Sequence, residues 1–452
     1  MRKQNGQCVL FEGLFDKPVS IEFTGPDQSS DGGVLLFKAI DEKMKLTERI
    51  TQAIRDWRQQ AKVDHPMQEM LRERIYGIAC GYPDCNDAAR LSRDVAMKLV
   101  CERRDETLAS QPTLSRLENG VTRADLLRFG YGLTDAVLEC ERRKRKAKKV
   151  RRITIDMDPT EDPTYGDQQL TFFNAYYDNW CYLPMVTTVQ FDDESDHYLI
   201  APVLRPGNAK GSAGALSILK RLLPRLRKLF PQAEIFVRMD GAFATPEVFS
   251  WLEAEELWYV VNMAKNSVLK DVVEPLMKRV RRKVAQTGRT EKEFGETIYK
   301  AGKWKRPRRA IIKAEVVVLE GREPRDNPRF VITNLTRSPR SVYHFYGLRG
   351  DAENRIKELK DGLRFDLTSC TSFLANQFRN LLVAAAYALY QQLRYAARAT
   401  KCARAQVWIL RERLVKIGVI IKESARRILI EAPRAYAWLR TWRLIAERLG
   451  AT

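Results

Sequence analysis

Tyr346, Arg349, Glu353 and Lys360 share a spacing that places four chemically useful groups together on one helix. At about 100° per residue, Arg349, Glu353 and Lys360 lie at about 300°, 340° and 320° from Tyr346, an arc of roughly 60°. Leu348, Ala352, Ile356 and Leu359 fall on a separate arc of about 200–280°, which reads as the buried stripe. Such a helix packs on a domain and presents a carboxylate beside cations, although an amphipathic helix with ordinary surface charges has the same pattern. Gly350 weakens it by about 1 kcal/mol relative to Ala. Two further carboxylates, Asp158 and Asp240, end strand-like segments. Only His65, His197 and His344 offer imidazoles, none in a metal-binding HExxH pattern, so any catalysis falls to carboxylates.

The chain carries 78 Lys+Arg against 57 Asp+Glu in 452 residues, a formal charge of +21. That excess points to a polyanionic partner, first of all nucleic acid. With 44% apolar residues the chain can bury cores, and its length suits two to four domains. The longest apolar run, 381–390, is too short to span a membrane, and Glu12 and Asp16 interrupt any signal-peptide core. The eight cysteines read as reduced thiols of a cytoplasmic protein; Cys80 and Cys85 have no second pair at zinc spacing.

Residues 1–145 read as mostly helical. Ser110 caps a short helix ended by Asn119-Gly120, and a second helix follows from Arg123. This is either a DNA-reading unit or an ordinary helical hairpin. From Val150 to Asp158 apolar residues alternate, with Ile153, Ile155 and Met157 on one face and Thr154, Asp156 and Asp158 on the other. Strand-like segments follow at 170–177, 183–190 and 197–204. Next come a helix at 213–229, a strand at 233–239, a helix at 246–256 and a strand at 258–262. This is the order of a ribonuclease-H-like fold, with Asp158 and Asp240 at matching strand ends. Residues 265–337 read as a β-rich insertion carrying the basic runs 278–283 and 303–309. Helices resume over 338–399, and 400–452 form a C-terminal region of further helix with an ambiguous segment at 415–431. The fold expected is therefore α+β: a ribonuclease-H-like core over 146–264 and 338–399, the insertion, and helical N- and C-terminal regions.

The spacing Tyr-x2-Arg-x3-Glu-x6-Lys resembles the YREK signature of a large group of bacterial insertion-sequence DDE transposases. Asp240-Gly-Ala-Phe243 and Asp158-Pro-Thr160 resemble the motifs of its two aspartates. The surrounding wording (DMDPTEDPTYG, NPRFVITNL, ENRIKELKDGL, SQPTLSRLENG) resembles the subgroup named after insertion sequence thirteen-eighty, over most of the chain. The resemblance implies that Asp158, Asp240 and Glu353 hold two Mg²⁺ ions, which Mn²⁺ can replace, for cutting and joining phosphodiesters. It implies that Arg349, Lys357 and Lys360 bind phosphates, with Tyr346 donating to a phosphate oxygen or stacking on a base. Trp304 is a candidate for stacking on an unpaired base, with Arg306, Arg308 and Arg309 contacting DNA beside it. The partners implied are double-stranded DNA, as terminal inverted repeats and as target, and a second copy of the chain, since two ends must be paired. The place implied is the bacterial cytoplasm, on the nucleoid when bound to DNA. Asp156 and Asp158 share a face, so geometry alone leaves both open as the first carboxylate. The Asp-x-Thr resemblance selects Asp158. A DNA-binding protein without catalysis, and a metal-dependent nuclease or resolvase on the same fold, are the competing classes.

Overall fold

The computed structural model describes residues 9–11, 16–17, 19–104, 106–145 and 149–452. Lys146 and Lys148, which belong to a dense basic run over 142–152 of the sequence, lie outside them. Five helices dominate the N-terminal region: α1 (Val34–Met44), α2 (Leu46–Ala53), α3 (Met67–Cys80), α4 (Gln111–Asn119) and α5 (Arg123–Lys144). Thr122 and Asp125 form a reciprocal cap at the start of α5, satisfying two otherwise orphaned backbone N–H groups. This helix buries Leu126, Phe129, Leu133, Val137 and Leu138. It packs against α2 and the central sheet. One face of α5 is therefore committed to the core.

One mixed sheet organises the rest. Its strands are β1 (Arg152–Pro159), β2 (Met185–Phe191), β3 (Tyr198–Val203), β4 (Glu234–Met239), β5 (Trp258–Met263), β6 (Glu291–Tyr299), β7 (Arg308–Val317) and β8 (Arg329–Thr333). Across the sheet they run β6-β7-β8-β5-β4-β1-β2-β3, and a two-residue ninth strand, Arg325–Asp326, pairs with β7. β4 lies parallel to β1 and β5, and every other pairing is antiparallel. The segment at 170–177 is not part of this sheet. It contributes Phe172–Asn174 to a separate three-stranded ribbon with Asn179–Tyr182 and Asp162–Pro163.

The segment expected to be β-rich opens instead with a 21-residue helix, Ser267–Thr287. Leu269, Val273, Met277, Val280 and Val284 recur at helical spacing and are all buried, and the basic run 278–283 interrupts that pattern only with side chains on the outer face. The strands that follow extend the central sheet, because β8 pairs directly with β5, Val260 beside Thr333. The C-terminal segment left ambiguous at 415–431 resolves into strands. Val419–Ser424 and Arg427–Glu431 form a hairpin that pairs with Gln28–Ser29. Its Val and Ile residues carry strand rather than helix propensity.

A 24-residue helix, Phe373–Ala396, is buried along nearly its whole length and packs on α3, α5 and β3. Through it the N-terminal helices and the sheet share one apolar core. Its amides also cover the free edge of β3. Gln391 donates to the His197 carbonyl and accepts from Leu199 N–H at 3.3 Å, while Gln377 donates to the Pro202 carbonyl at 3.0 Å. An edge strand left bare would be a template for unwanted pairing.

Glu73 on α3 is buried and accepts a single backbone bond, from Ala109 N–H at 3.1 Å. Burial pushes its carboxyl up to about 8. The folded state therefore binds the extra proton between about 4.5 and 8, so its ionisation removes stability as pH rises through that window. Glu73→Gln keeps the acceptor without the charge. It is expected to raise stability at pH 9 by about 1–4 kcal/mol and to change little at pH 5, read by denaturant unfolding at both pH values.

Candidate active site

Hydrophobic alternation sets β1 and β4 side by side, with Asp156 beside Arg238 and Met157 beside Met239. The next pair outward is Asp158 and Asp240, at the carboxyl ends of adjacent parallel strands. Open sheets place their ligand crevices at such ends. Asp240 also caps the short turn Gly241–Phe243, accepting from Ala242 N–H at 2.8 Å, and this fixes its carboxylate at the strand mouth.

The third carboxylate arrives from the far end of the chain. The single helix expected from Tyr346 to Lys360 is two helices, Pro339–Gly347 and Gly350–Leu363, with Leu348 and Arg349 in a tightened turn between them. Gly347 and Gly350 flank that turn, and two poor helix formers at this spacing let the axis shift. Tyr346 consequently belongs to the first helix, Arg349 to the turn, and Glu353 and Lys360 to the second helix. The buried stripe holds where it matters: Ala352, Ile356 and Leu359 are all buried.

Arg349 is buried and bridges the site. Its Nη2 lies 2.7 Å from Asp158 Oδ1 and its Nη1 donates to Glu353 Oε1 at 2.5 Å. The Asp158 carboxyl is pushed up to about 7, by burial above all, and by the charges of Asp240 and Glu353 against the pull of Arg349. Asp240 is also raised, again mainly by burial, with Glu353 adding to it. Three carboxylates from three distant segments thus repel one another in one crevice, with a guanidinium holding two of them. That donor set is all hard oxygen and short of positive charge, which suits a divalent cation. Among the described residues the side chains do not form a ready-made ligand cluster; Arg349 lies between Asp158 and Glu353.

Asp156, the alternative first carboxylate, is engaged elsewhere. It is fully buried, accepts two bonds from Arg238 at 2.8 and 2.7 Å, and lies 3.3 Å from His197 Nδ1. Burial alone would raise its carboxyl, but His197 and Arg238 outweigh that and hold it below the usual carboxylate range. Arg238 in turn donates to the Phe345 carbonyl at 3.0 Å, tying the strand to the helix that leads into Arg349.

The remaining residues divide. Tyr346 is close enough to feel Arg349, Asp240 and Glu353, and burial pushes its hydroxyl up to about 12. Lys357 is exposed and Lys360 half-buried on the Glu353 helix. Trp304 corrects the stacking expectation. It is only 4% exposed, packed edge-on against Phe249 and Tyr299 at 5.1 and 5.5 Å, with Arg308 over its ring. Its faces are covered, so no base reaches them. Arg308 is likewise buried and paired with Glu253, and is a packing residue. Arg309 is bound to Glu296 at 2.8 Å, and Arg306, although exposed, bonds the same Glu253 at 3.0 Å. Sequence reading missed Arg205. Buried, it donates to the carbonyls of Leu183, Lys210, Gly211 and Ala213, and so sets the loop against the Asp240 turn. Its only sequence signal is an Arg at the end of a strand, before Pro-Gly.

Three carboxylates brought together at the mouth of a mixed sheet are a donor set that metal-assisted phosphodiester chemistry can use. The family described as "Transposase DDE domain group 1" matches residues 11–452, and the chain belongs to the DDE transposases. Enzymes of this family generally work with divalent metal ions. Among solved structures the chain is similar to a piggyBac transposase in a cryo-EM synaptic complex with hairpin DNA. The identity is 9% and the TM-score 0.43, over 93% of this chain and 82% of that one. No curated protein matches the chain. Among the described residues no helix is long and apolar enough to cross a membrane.

Proposed function

We propose that the chain binds the terminal inverted repeats of its own insertion sequence, cuts phosphodiester bonds there and joins the ends to target DNA. Asp158, Asp240 and Glu353 are the ligands for two Mg²⁺ ions in this reading. The observation that carries it is the meeting of these three carboxylates, from β1, the turn after β4 and the Gly350–Leu363 helix, around one buried arginine. Bound divalent ions would supply an activated water or 3′-hydroxyl and neutralise the leaving oxygen. The chain's own residues orient and hold. Arg349 has its guanidinium at the crevice, ready to pass from carboxylates to a phosphate, where its fork can bind two oxygens. Lys360 acts as a point charge farther along the same helix, and Tyr346 offers a hydroxyl beside Arg349.

The strand order supports a ribonuclease-H-like core, since β1, β2 and β3 run antiparallel and β4 and β5 join parallel to β1. The complete Tyr-Arg-Glu-Lys spacing supports the YREK group, and the quoted wording supports the subgroup named after insertion sequence thirteen-eighty. Pairing two ends calls for at least two copies of the chain in the active complex. A labelled duplex carrying the element's end, incubated with Mg²⁺ and a target plasmid, tests the proposal; nicking followed by joined product is the expected result. Nicking without joining would turn the reading to a nuclease.

DNA affinity is expected to fall steeply with salt as counterions leave the phosphates. Because Arg308 is buried against Trp304, Arg308→Ala should lower folding stability rather than the salt slope. Lys357→Ala and Lys360→Ala together should reduce that slope by about two. Anisotropy titrations across a salt series check both, and a flat wild-type response would remove nucleic acid as the partner.

A further inference from the structure

We propose that the outer edge of β6 pairs antiparallel with the same strand of a second copy of this chain, joining the two central sheets across a two-fold axis. The pairing is independent of the DNA-cutting reading. The two edges of the sheet differ. Gln377 and Gln391 cover β3, whereas among the described residues β6 pairs only with β7 and no side chain bonds its outer main-chain groups. At nine residues it is a ready template for another strand. The bonding phase shows which groups are free. Asn327 N–H donates to the Glu315 carbonyl at 2.7 Å, so Glu315 turns its main-chain groups away from β6. That direction alternates along a strand. Val316, Ala314, Ile312 and Ala310 therefore turn theirs toward β6, where Glu291, Glu293, Gly295 and Thr297 are their partners in register. Lys292, Phe294, Glu296 and Ile298 are left with N–H and C=O pointing outward. Their side chains share one face, on which Lys292 and Glu296 are exposed and Ile298 is 69% exposed.

Charge selects the register. In a two-fold pair centred on Phe294, Lys292 of each copy stands opposite Glu296 of the other, and Phe294 stands opposite its own copy. Centring on Gly295 would set Phe294 against a carboxylate, and centring on Glu296 would set two carboxylates face to face. Opposite charges across a strand pair stabilise it and like charges destabilise it. A lone edge lysine guards against pairing, but a glutamate four positions along makes it half of a matched pair. Glu296, although bound to Arg309, keeps 49% of its side chain exposed.

The helix Ser267–Thr287 widens the same edge. It packs on β6 and β7 and runs antiparallel to β6. Asn266 donates to the Tyr299 hydroxyl at 3.0 Å, and Arg279 and Lys283 bind Glu293 at 3.1 and 2.7 Å. At about 100° per residue, Val268, Val272, Arg279 and Lys283 lie within an arc of about 60°. Val268 and Val272, 55% and 40% exposed, are therefore on the flank beside the free edge. Arg281, on the opposite flank, binds Asp326. With strands about 4.8 Å apart, two such helices, each over its own β6 and β7, stand about 10 Å apart across the two-fold, the distance at which helices pack. They add apolar area to a strand pair that alone is a small interface. The strip is also neutral, with Glu291, Glu293 and Glu296 against Lys292, Arg279 and Lys283, on a chain of net charge +21. A neutral, self-complementary strip suits a second copy rather than a polyanion.

The test is sedimentation velocity of the nuclease-treated full chain over a concentration series, without DNA. Wild type, Lys292→Glu, Glu296→Lys and an equimolar mixture of the two variants are compared. Wild type should dimerise in the micromolar range. Each variant alone sets like charges opposite each other twice and should weaken self-association at least about tenfold. The mixture restores two opposite-charge pairs and should recover the dimer. Melting curves establish that each variant is folded. Should Glu296→Lys unfold through loss of its bond to Arg309, Lys292→Pro takes its place: it removes an outward N–H and no bond to β7, and should be monomeric. A wild type that stays monomeric at every concentration overturns the pairing. So does a dimer that the substitutions leave intact, which assigns self-association to another face, or a mixture of folded variants that does not dimerise.

Discussion

Glu353→Gln is expected to lower cleavage of an end-bearing duplex in Mg²⁺ by about 10³-fold or more, while duplex affinity stays within about twofold. The side chain is exposed on the first turn of its helix and makes one ion pair, with Arg349, so the amide costs the fold little. Arg349 keeps its second partner, Asp158. What the substitution removes is one hard anionic ligand of three. A metal centre contributes several kcal/mol to transition-state charge stabilisation, and each 1.36 kcal/mol is a factor of ten in rate. Lys360→Ala should fall far short of that loss and keep the response to metal concentration, because it removes a phosphate contact and no ligand. Wild-type cleavage by Glu353→Gln would take this helix out of the catalytic centre.

How far the sequence reveals this site depends on the kind of force that sets each part. Alternation of Ile153, Ile155 and Met157 against Thr154, Asp156 and Asp158 is visible because one sheet face packs into apolar core while the other, buried as well at Thr154 and Asp156, is polar, and it leads directly to two aspartates at neighbouring strand ends. The stripe Ala352, Ile356 and Leu359 is visible for the same reason. Pairing is harder to see. No local pattern says that Arg238, 82 positions away, takes Asp156, or that Arg349 lies between Asp158 and Glu353. Charge runs mislead as well. Arg308 sits in a basic string that looks solvated, yet its guanidinium is buried over Trp304 and bound to Glu253. The Ser267–Thr287 helix is hidden by its own basic face. The aromatic ribbon is hidden by its composition, since Leu-Thr-Phe-Phe-Asn-Ala-Tyr-Tyr reads as a core strand until its rings prove exposed.

Asp156→Asn and Asp158→Asn, two positions apart on one strand, are expected to fail in opposite ways. Asp156 is the buried partner of an equally buried Arg238, and an amide there leaves the guanidinium uncompensated. Breaking such a pair by removing one partner costs about 3–5 kcal/mol. Asp156→Asn should therefore melt earlier, yet where it remains folded it should still cleave, because it loses no metal ligand. Replacing the pair together, Asp156→Leu with Arg238→Met, should recover much of the stability, since well-packed apolar side chains avoid the desolvation of both charges. Asp158→Asn should be at least as stable as wild type in metal-free buffer at pH 8. Its carboxyl titrates near 7 in the fold, against an ordinary value of 3.8, so ionising it above that range costs folding free energy that an amide does not carry. The same variant should be inactive with Mg²⁺ and with Mn²⁺, and its melting temperature should no longer rise when either metal is added, whereas that of wild type should. Melting curves with and without metal, paired with cleavage assays at low temperature, separate the two aspartates. Full activity in Asp158→Asn alongside loss of the metal response in Asp156→Asn would move the ligand to Asp156 and require Arg238 to release it when metal binds.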